Sequence, residues 1–177
     1  MVQTIALCNQ RIRFQRNKVR VRAHRTGNLL YIIAETDIRN YLKANGGSYT
    51  INIINADNTP LETDAEGNYI VIPGQQYKFT LGLSSPNGIV PGIYVYTLPQ
   101  GLTVNAGEGD FVVDGVCIGS WTVDADGKIE MVLNQNSNNY THVTISALMG
   151  ITFSEEFSPL DFDGIISVIV KKKRTGY

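Results

Sequence analysis

Cysteine and histidine are both scarce in this 177-residue sequence, with two of each. Cys8 and Cys117 lie far apart and make neither a paired zinc-ligand spacing nor a C-x-x-C redox motif, so free thiols are the expected state. His24 sits in a basic stretch and His142 at the start of a strand-like run, and neither has a motif partner. No nucleophile elbow, phosphate-binding loop or zinc-protease motif is present. Long apolar runs are missing too. The longest, Leu29 to Ala34, is far short of the ~20 residues a helix needs to cross a bilayer, so no membrane insertion is expected. Met1 to Asn9 lacks the basic and apolar regions of a secretory signal. Charged residues, at 18%, fall below the usual quarter or so.

What the sequence does hold is core-forming material: 43% hydrophobic residues, enough for one domain with a short appendage. Seventeen Gly and nine Tyr, with few helix-forming runs, point to β structure. The net charge of −1 hides a strong segregation. Residues 1–43 carry nine Lys and Arg against two acids, whereas residues 44–170 carry two Lys against fourteen acids. Four further basic residues fall in 171–177. Phosphate binding needs cations, so the acidic middle is not expected to bind nucleic acid. The opposed charges can attract within one chain or between chains, so self-association through the basic arm is a candidate property.

Local pattern fills in the architecture. Arg11-Ile12-Arg13-Phe14 and Val19-Arg20-Val21-Arg22 alternate with period two, as an edge hairpin or arm with one charged face would. Leu29 to Ala34 reads as a strand, and Thr36 or Asp37 can cap a short helix through Lys43, ended by Asn45-Gly46-Gly47. Beyond that the pattern is β alone. Tyr77, Phe79, Leu81 and Leu83 alternate with Lys78, Thr80 and Gly82. Ile93 to Leu98 is apolar on both faces, which places it inside a sheet. Asp114-Gly115 and Asp126-Gly127 are hairpin signals. Nine strands are predicted after residue 47, with turn signals every ~8–12 residues, the spacing of a sandwich or barrel. No βαβ alternation is present, so a parallel sheet is not expected. The predicted fold is an all-β, antiparallel Ig-like β-sandwich with Greek-key connections over residues 37–171, preceded by a basic hairpin or arm at 1–36 and followed by a basic tail at 172–177.

Candidate chemistry is thin. Glu155, Glu156, Asp161 and Asp163 form the densest acidic cluster, but their spacing matches no standard calcium loop, and Asp124-Ala125-Asp126-Gly127 reads as a hairpin turn. Trp121 shares its parity with Val123 and, with Phe79, Tyr96 and Phe153, is expected to anchor the core. No catalytic residue, metal ligand or cofactor is assigned.

Several of these stretches taken together resemble a known family. Tyr94-Val95-Tyr96-Thr97-Leu98-Pro99-Gln100-Gly101-Leu102, Ile118-Gly119-Ser120-Trp121-Thr122-Val123 and Val143-Thr144-Ile145-Ser146-Ala147 leading into Phe153-Ser154-Glu155-Glu156 carry the likeness, with Asp163-Gly164-Ile165-Ile166-Ser167-Val168 closing it. Residues 37–171 resemble the Ig-like adhesive domains of Gram-positive cell-wall adhesins of the collagen-adhesin and fibrinogen-binding type. The resemblance implies an extracellular binding module on the bacterial surface that recognises a host extracellular-matrix protein or glycan. It also implies that a self-formed Lys–Asn isopeptide bond is worth checking, with Lys78 the one candidate. Lys78 and Lys128, the only lysines in the middle, read as solvent-facing, and that chemistry needs an apolar core to deprotonate the amine. The arginine-rich start and the lack of a wall-sorting motif depart from the family pattern, which suggests a fragment of a larger surface protein. Two other readings stand beside it: an assembly subunit (pilin-like, or a virion decoration protein) and a carbohydrate-binding sandwich.

Overall fold

Alternation decides where each strand buries its side chains, and the strand with the clearest alternation lies inside a sheet. The computed structural model describes residues 35–140 and 145–171. The predicted arm with Leu29–Ala34, Cys8, His24, His142 and the tail at 172–177 lie outside the described residues. Strand β4 (Tyr77–Ser84) buries Tyr77, Phe79, Leu81 and Leu83 and leaves Lys78 and Thr80 partly exposed. It runs between β2 (Ser48–Asn55) and β10 (Ile145–Phe153), antiparallel to both, with β6 (Leu102–Val104) completing a four-stranded sheet. Register sets Phe79 opposite Ile53 on one side and Met149 on the other.

A second sheet has the order β1-β5-β9-β8-β7. Its strands are β1 (Glu35–Asp37), β5 (Gly92–Thr97), β7 (Gly107–Val113), β8 (Val116–Val123) and β9 (Lys128–Leu133). Tight hairpins join its last three strands. At the first, Asp114 and Gly115 have φ of 50° and 78°, the left-handed pair that a two-residue turn requires. At the second, the Asp124 carboxylate accepts from the backbone N–H groups of Asp126 and Lys128, and Gly127 takes φ 82°. A third, three-stranded sheet of β11 (Leu160–Phe162), β12 (Ile166–Val170) and β3 (Tyr69–Val71) packs on the same core.

The inner faces of these sheets share one hydrophobic cluster, as an all-β sandwich requires. Phe79 meets Phe162 at 6.1 Å between ring centroids, joining the four- and three-stranded sheets, and Tyr49 meets Tyr96 at 6.1 Å across the two larger ones. Helix α1 (Ile38–Ala44) adds Ile38 and Leu42 to this core. Asp37 caps it, accepting from the Arg39 backbone N–H, as its sequence position suggests.

Three expectations need correction. Two pairings are parallel, β1 with β5 and β12 with β3. Each is three residue pairs long, and the chain between partners runs through other strands, so no crossover helix is needed. Eleven described strands follow residue 47 where nine were predicted. The additional two, β6 and β11, are three residues each and too short to show periodicity. Cys117 is disulfide-bonded rather than free.

Candidate functional site

Among the described residues, one polar cluster gathers side chains scattered widely in sequence. Asp163 and Gly164 make the tight turn between β11 and β12, with φ of 54° and 71°. The turn is closed by the Ile165 backbone N–H donating to the Phe162 carbonyl at 2.9 Å. It aims the Asp163 carboxylate at side chains of β2, β5 and α1. There Asp163 Oδ2 accepts from the Tyr96 hydroxyl at 2.9 Å and from the Tyr49 hydroxyl at 3.0 Å. Its Oδ1 accepts from Arg39 Nη1 at 3.1 Å.

Arg39 is held in turn from α1. Its Nε and Nη2 donate to the two oxygens of Asp37, at 3.0 and 2.7 Å, a bidentate fork. The guanidinium carbon lies 5.1 Å from the centre of the Tyr96 ring, within cation–π range. One carboxylate therefore joins β2, β5, α1 and the β11–β12 turn.

The electrostatics follow from that geometry. The Arg39 hydrogen bond holds the Asp37 carboxyl below the usual range, and the same contact makes Arg39 harder to deprotonate. Burial, then the hydrogen bond to Asp163, pushes the Tyr49 hydroxyl up to about 12. The same two causes, in the same order, push Tyr96 higher still. Chemically, the cluster sets two phenols that resist deprotonation against one shared carboxylate. Every side-chain group named in it already has a partner within it.

The other acids do not converge. The Asp161 carboxylate accepts from the Gly164 backbone N–H in its own turn, at 3.1 and 3.2 Å. Glu155 and Glu156 occupy a short 3-10 turn capped by Ser154, while Asp163 faces the tyrosines. Among the described residues no group of three or more His, Cys, Asp and Glu could hold a metal ion. Asp124 and Asp126 belong to the hairpin turn. Trp121, Phe79, Tyr96 and Phe153 are all buried in the shared core, Tyr96 meeting the polar cluster through its hydroxyl and the ring face under Arg39.

Lys78 lies on the outward face of β4, and its Nζ donates to Asn58 Oδ1 at 2.7 Å in an exposed contact. A lysine and an asparagine are therefore adjacent, but at the exposed surface rather than in the apolar core that isopeptide chemistry needs. The geometry is that of a surface hydrogen bond.

Arg39 and Tyr49 were not singled out by sequence reasoning. The usable signals were Asp163-Gly164 as a turn and Asp37 as a helix cap; nothing in the spacing of residues 39, 49, 96 and 163 links them. No protein-family model matches the chain, and no curated protein is similar to it.

Proposed function

We propose that this chain is a non-catalytic binding module of the bacterial surface-adhesin kind, recognising a host extracellular-matrix protein or glycan. The observation that carries the reading is the saturation of the Asp163 cluster. Both carboxylate oxygens, the two tyrosine hydroxyls and the Arg39 fork are committed to one another. A general base or nucleophile needs a group free to reach substrate, whereas these groups tie β2, β5, α1 and the β11–β12 turn together. The disulfide at Cys117 supports display outside the cytosol, where such bonds persist.

The test is binding of the purified, labelled chain to immobilised matrix proteins and a glycan panel. Saturable binding to at least one of them, lost when the chain is unfolded by heat, is the expected result. Failure to bind any of them, together with concentration-dependent polymerisation, would overturn it in favour of an assembly subunit. That second reading draws on the charge segregation, nine basic groups against two acids in residues 1–43 and two against fourteen in residues 44–170.

A further inference from the structure

In a two-layer sandwich the outer face of each sheet meets water and should read as polar and exposed. The outer face of the five-stranded sheet does not. Register lines up two rows across it: Asp110, Ser120, Val132 and Ile93 in one, Glu108, Thr122, Glu130 and Val95 in the other. Within these rows Ile93 is 4% exposed, Val132 3%, Ser120 4% and Glu130 8%. Ile93 and Val132 form a cluster of their own, apart from the sandwich core, and among the described residues the one other hydrophobic packed against it is Cys117.

We propose that this outer face is the docking surface for the chain's own basic amino-terminal segment, residues 1–34, fastened there by a Cys8–Cys117 disulfide. Three observations besides the burial point to that occupant. Cys117 lies on this face and is disulfide-bonded, and the sequence has a single other cysteine, Cys8. A disulfide brings its two Cα atoms to within roughly 4.4–6.8 Å. Charge is the second. The face carries Glu108, Asp110 and Glu130, whereas residues 1–34 contain seven Lys and Arg and no acid. A carboxylate as enclosed as Glu130 is tolerated when a cation or hydrogen-bond donors meet it. Glu108, Asp110, Ser120 and Glu130 are each engaged in an interaction.

The third is where the chain arrives. Residue 34 leads directly into β1, the edge strand of this same sheet, so the segment reaches the face without crossing the domain. Residues 9–34 can span ~85 Å when extended, against a five-stranded sheet ~19 Å across. The tether therefore allows more than one pass over the face. The covalent step joins the two thiol sulfurs. It releases two protons and passes two electrons to a disulfide oxidant, which leaves as its dithiol.

The test uses the full chain prepared without reductant. Native-state alkylation and non-reducing peptide mapping read the cysteines, and light scattering reads the mass. A Cys8–Cys117 cross-linked peptide from a monomer is expected. Tryptic cleavage after Arg11, Arg13, Arg20 and Arg22 should be slower by about tenfold or more than after reduction in ~1 M salt, where the Debye length is ~3 Å. In Cys8→Ser the charges remain, so cleavage there should accelerate and become salt-dependent. Free Cys8 and Cys117 in the native protein would overturn the proposal, as would equal cleavage rates with and without the bond. So would a cross-link between two chains, which assigns the face to a second copy. The wild-type mapping decides even if Cys8→Ser does not fold.

Discussion

Removing the Asp163 side chain tests whether the polar cluster holds the sandwich together. Asp163→Ala deletes the acceptor for Tyr49, Tyr96 and Arg39 at once. Tyr96 is 1% exposed, so its hydroxyl is left without a partner, at a cost of about 1–3 kcal/mol. The backbone adds to this: φ at residue 163 is 54°, and a left-handed alanine costs roughly 1–2 kcal/mol. The ion pair adds less than ~1 kcal/mol, because Arg39 and Asp163 are 33% and 29% exposed. The total is about 3 kcal/mol, a large share of the ~5–15 kcal/mol typical of a domain. Asp163→Asn keeps a residue that tolerates this backbone and one acceptor oxygen, and is expected to cost about 1 kcal/mol. Urea unfolding followed by Trp121 fluorescence measures both, with the slope m unchanged. The decisive comparison is Tyr96→Phe in each background. It should cost about 1 kcal/mol in the wild type and little or nothing in Asp163→Ala, where that hydroxyl is already orphaned. Additivity within ~0.5 kcal/mol would refute the coupling.

Other outcomes follow from the same geometry. Tyr49 titrates near pH 10 when unfolded and at about 12 when folded. Its contribution to stability is therefore complete below pH 10 and is lost as pH rises towards 12, with Tyr96 acting in the same direction. Tyrosinate absorbance and far-UV circular dichroism should change together over that window. At the acid end, the lowered Asp37 contributes stability above pH ~3.8 that is lost as pH falls further, read by acid titration of the folded signal. Gly109→Ala would place a Cβ 2.7 Å from Trp121 Nε1, against a large buried ring; a loss of about 1–3 kcal/mol is expected in thermal unfolding. The intact mass should equal that of the sequence less the two disulfide hydrogens, with no loss of ammonia, since Lys78 meets Asn58 in solvent. A mass lower by one ammonia would refute that reading.

Much of the fold was legible because a half-buried strand writes its orientation into alternate residues. Tyr77 to Leu83 shows this most plainly, and Asp114-Gly115 and Asp126-Gly127 mark their hairpins through the left-handed backbone they allow. Strands of three residues, β6 and β11, carry no such period, and their pairing depends on partners far along the chain. Parallel edges were illegible for the same reason: nothing local to Glu35–Asp37 names β5 as its neighbour. The Asp163 cluster assembles only when three sheets and a helix meet, so its members look like ordinary surface or core residues in sequence. Separation along the chain hid the cysteines too. Cys117 gives no local sign of its bond.

The pairing of β12 with β3 sets a timetable for synthesis. Tyr69 lies opposite Val168, so β3 leaves the ribosome about 99 residues ahead of its partner. At ~5–20 residues per second that is a wait of roughly 5–20 s. Asp163 arrives in the same late stretch, and until it does the hydroxyls of Tyr49 and Tyr96 lack their acceptor. A nascent chain stopped before residue 160 holds most of the apolar strands yet has neither the third sheet nor the closing carboxylate. This domain completes its folding only after its last two strands have been made, and its earlier strands must stay out of wrong pairings until then.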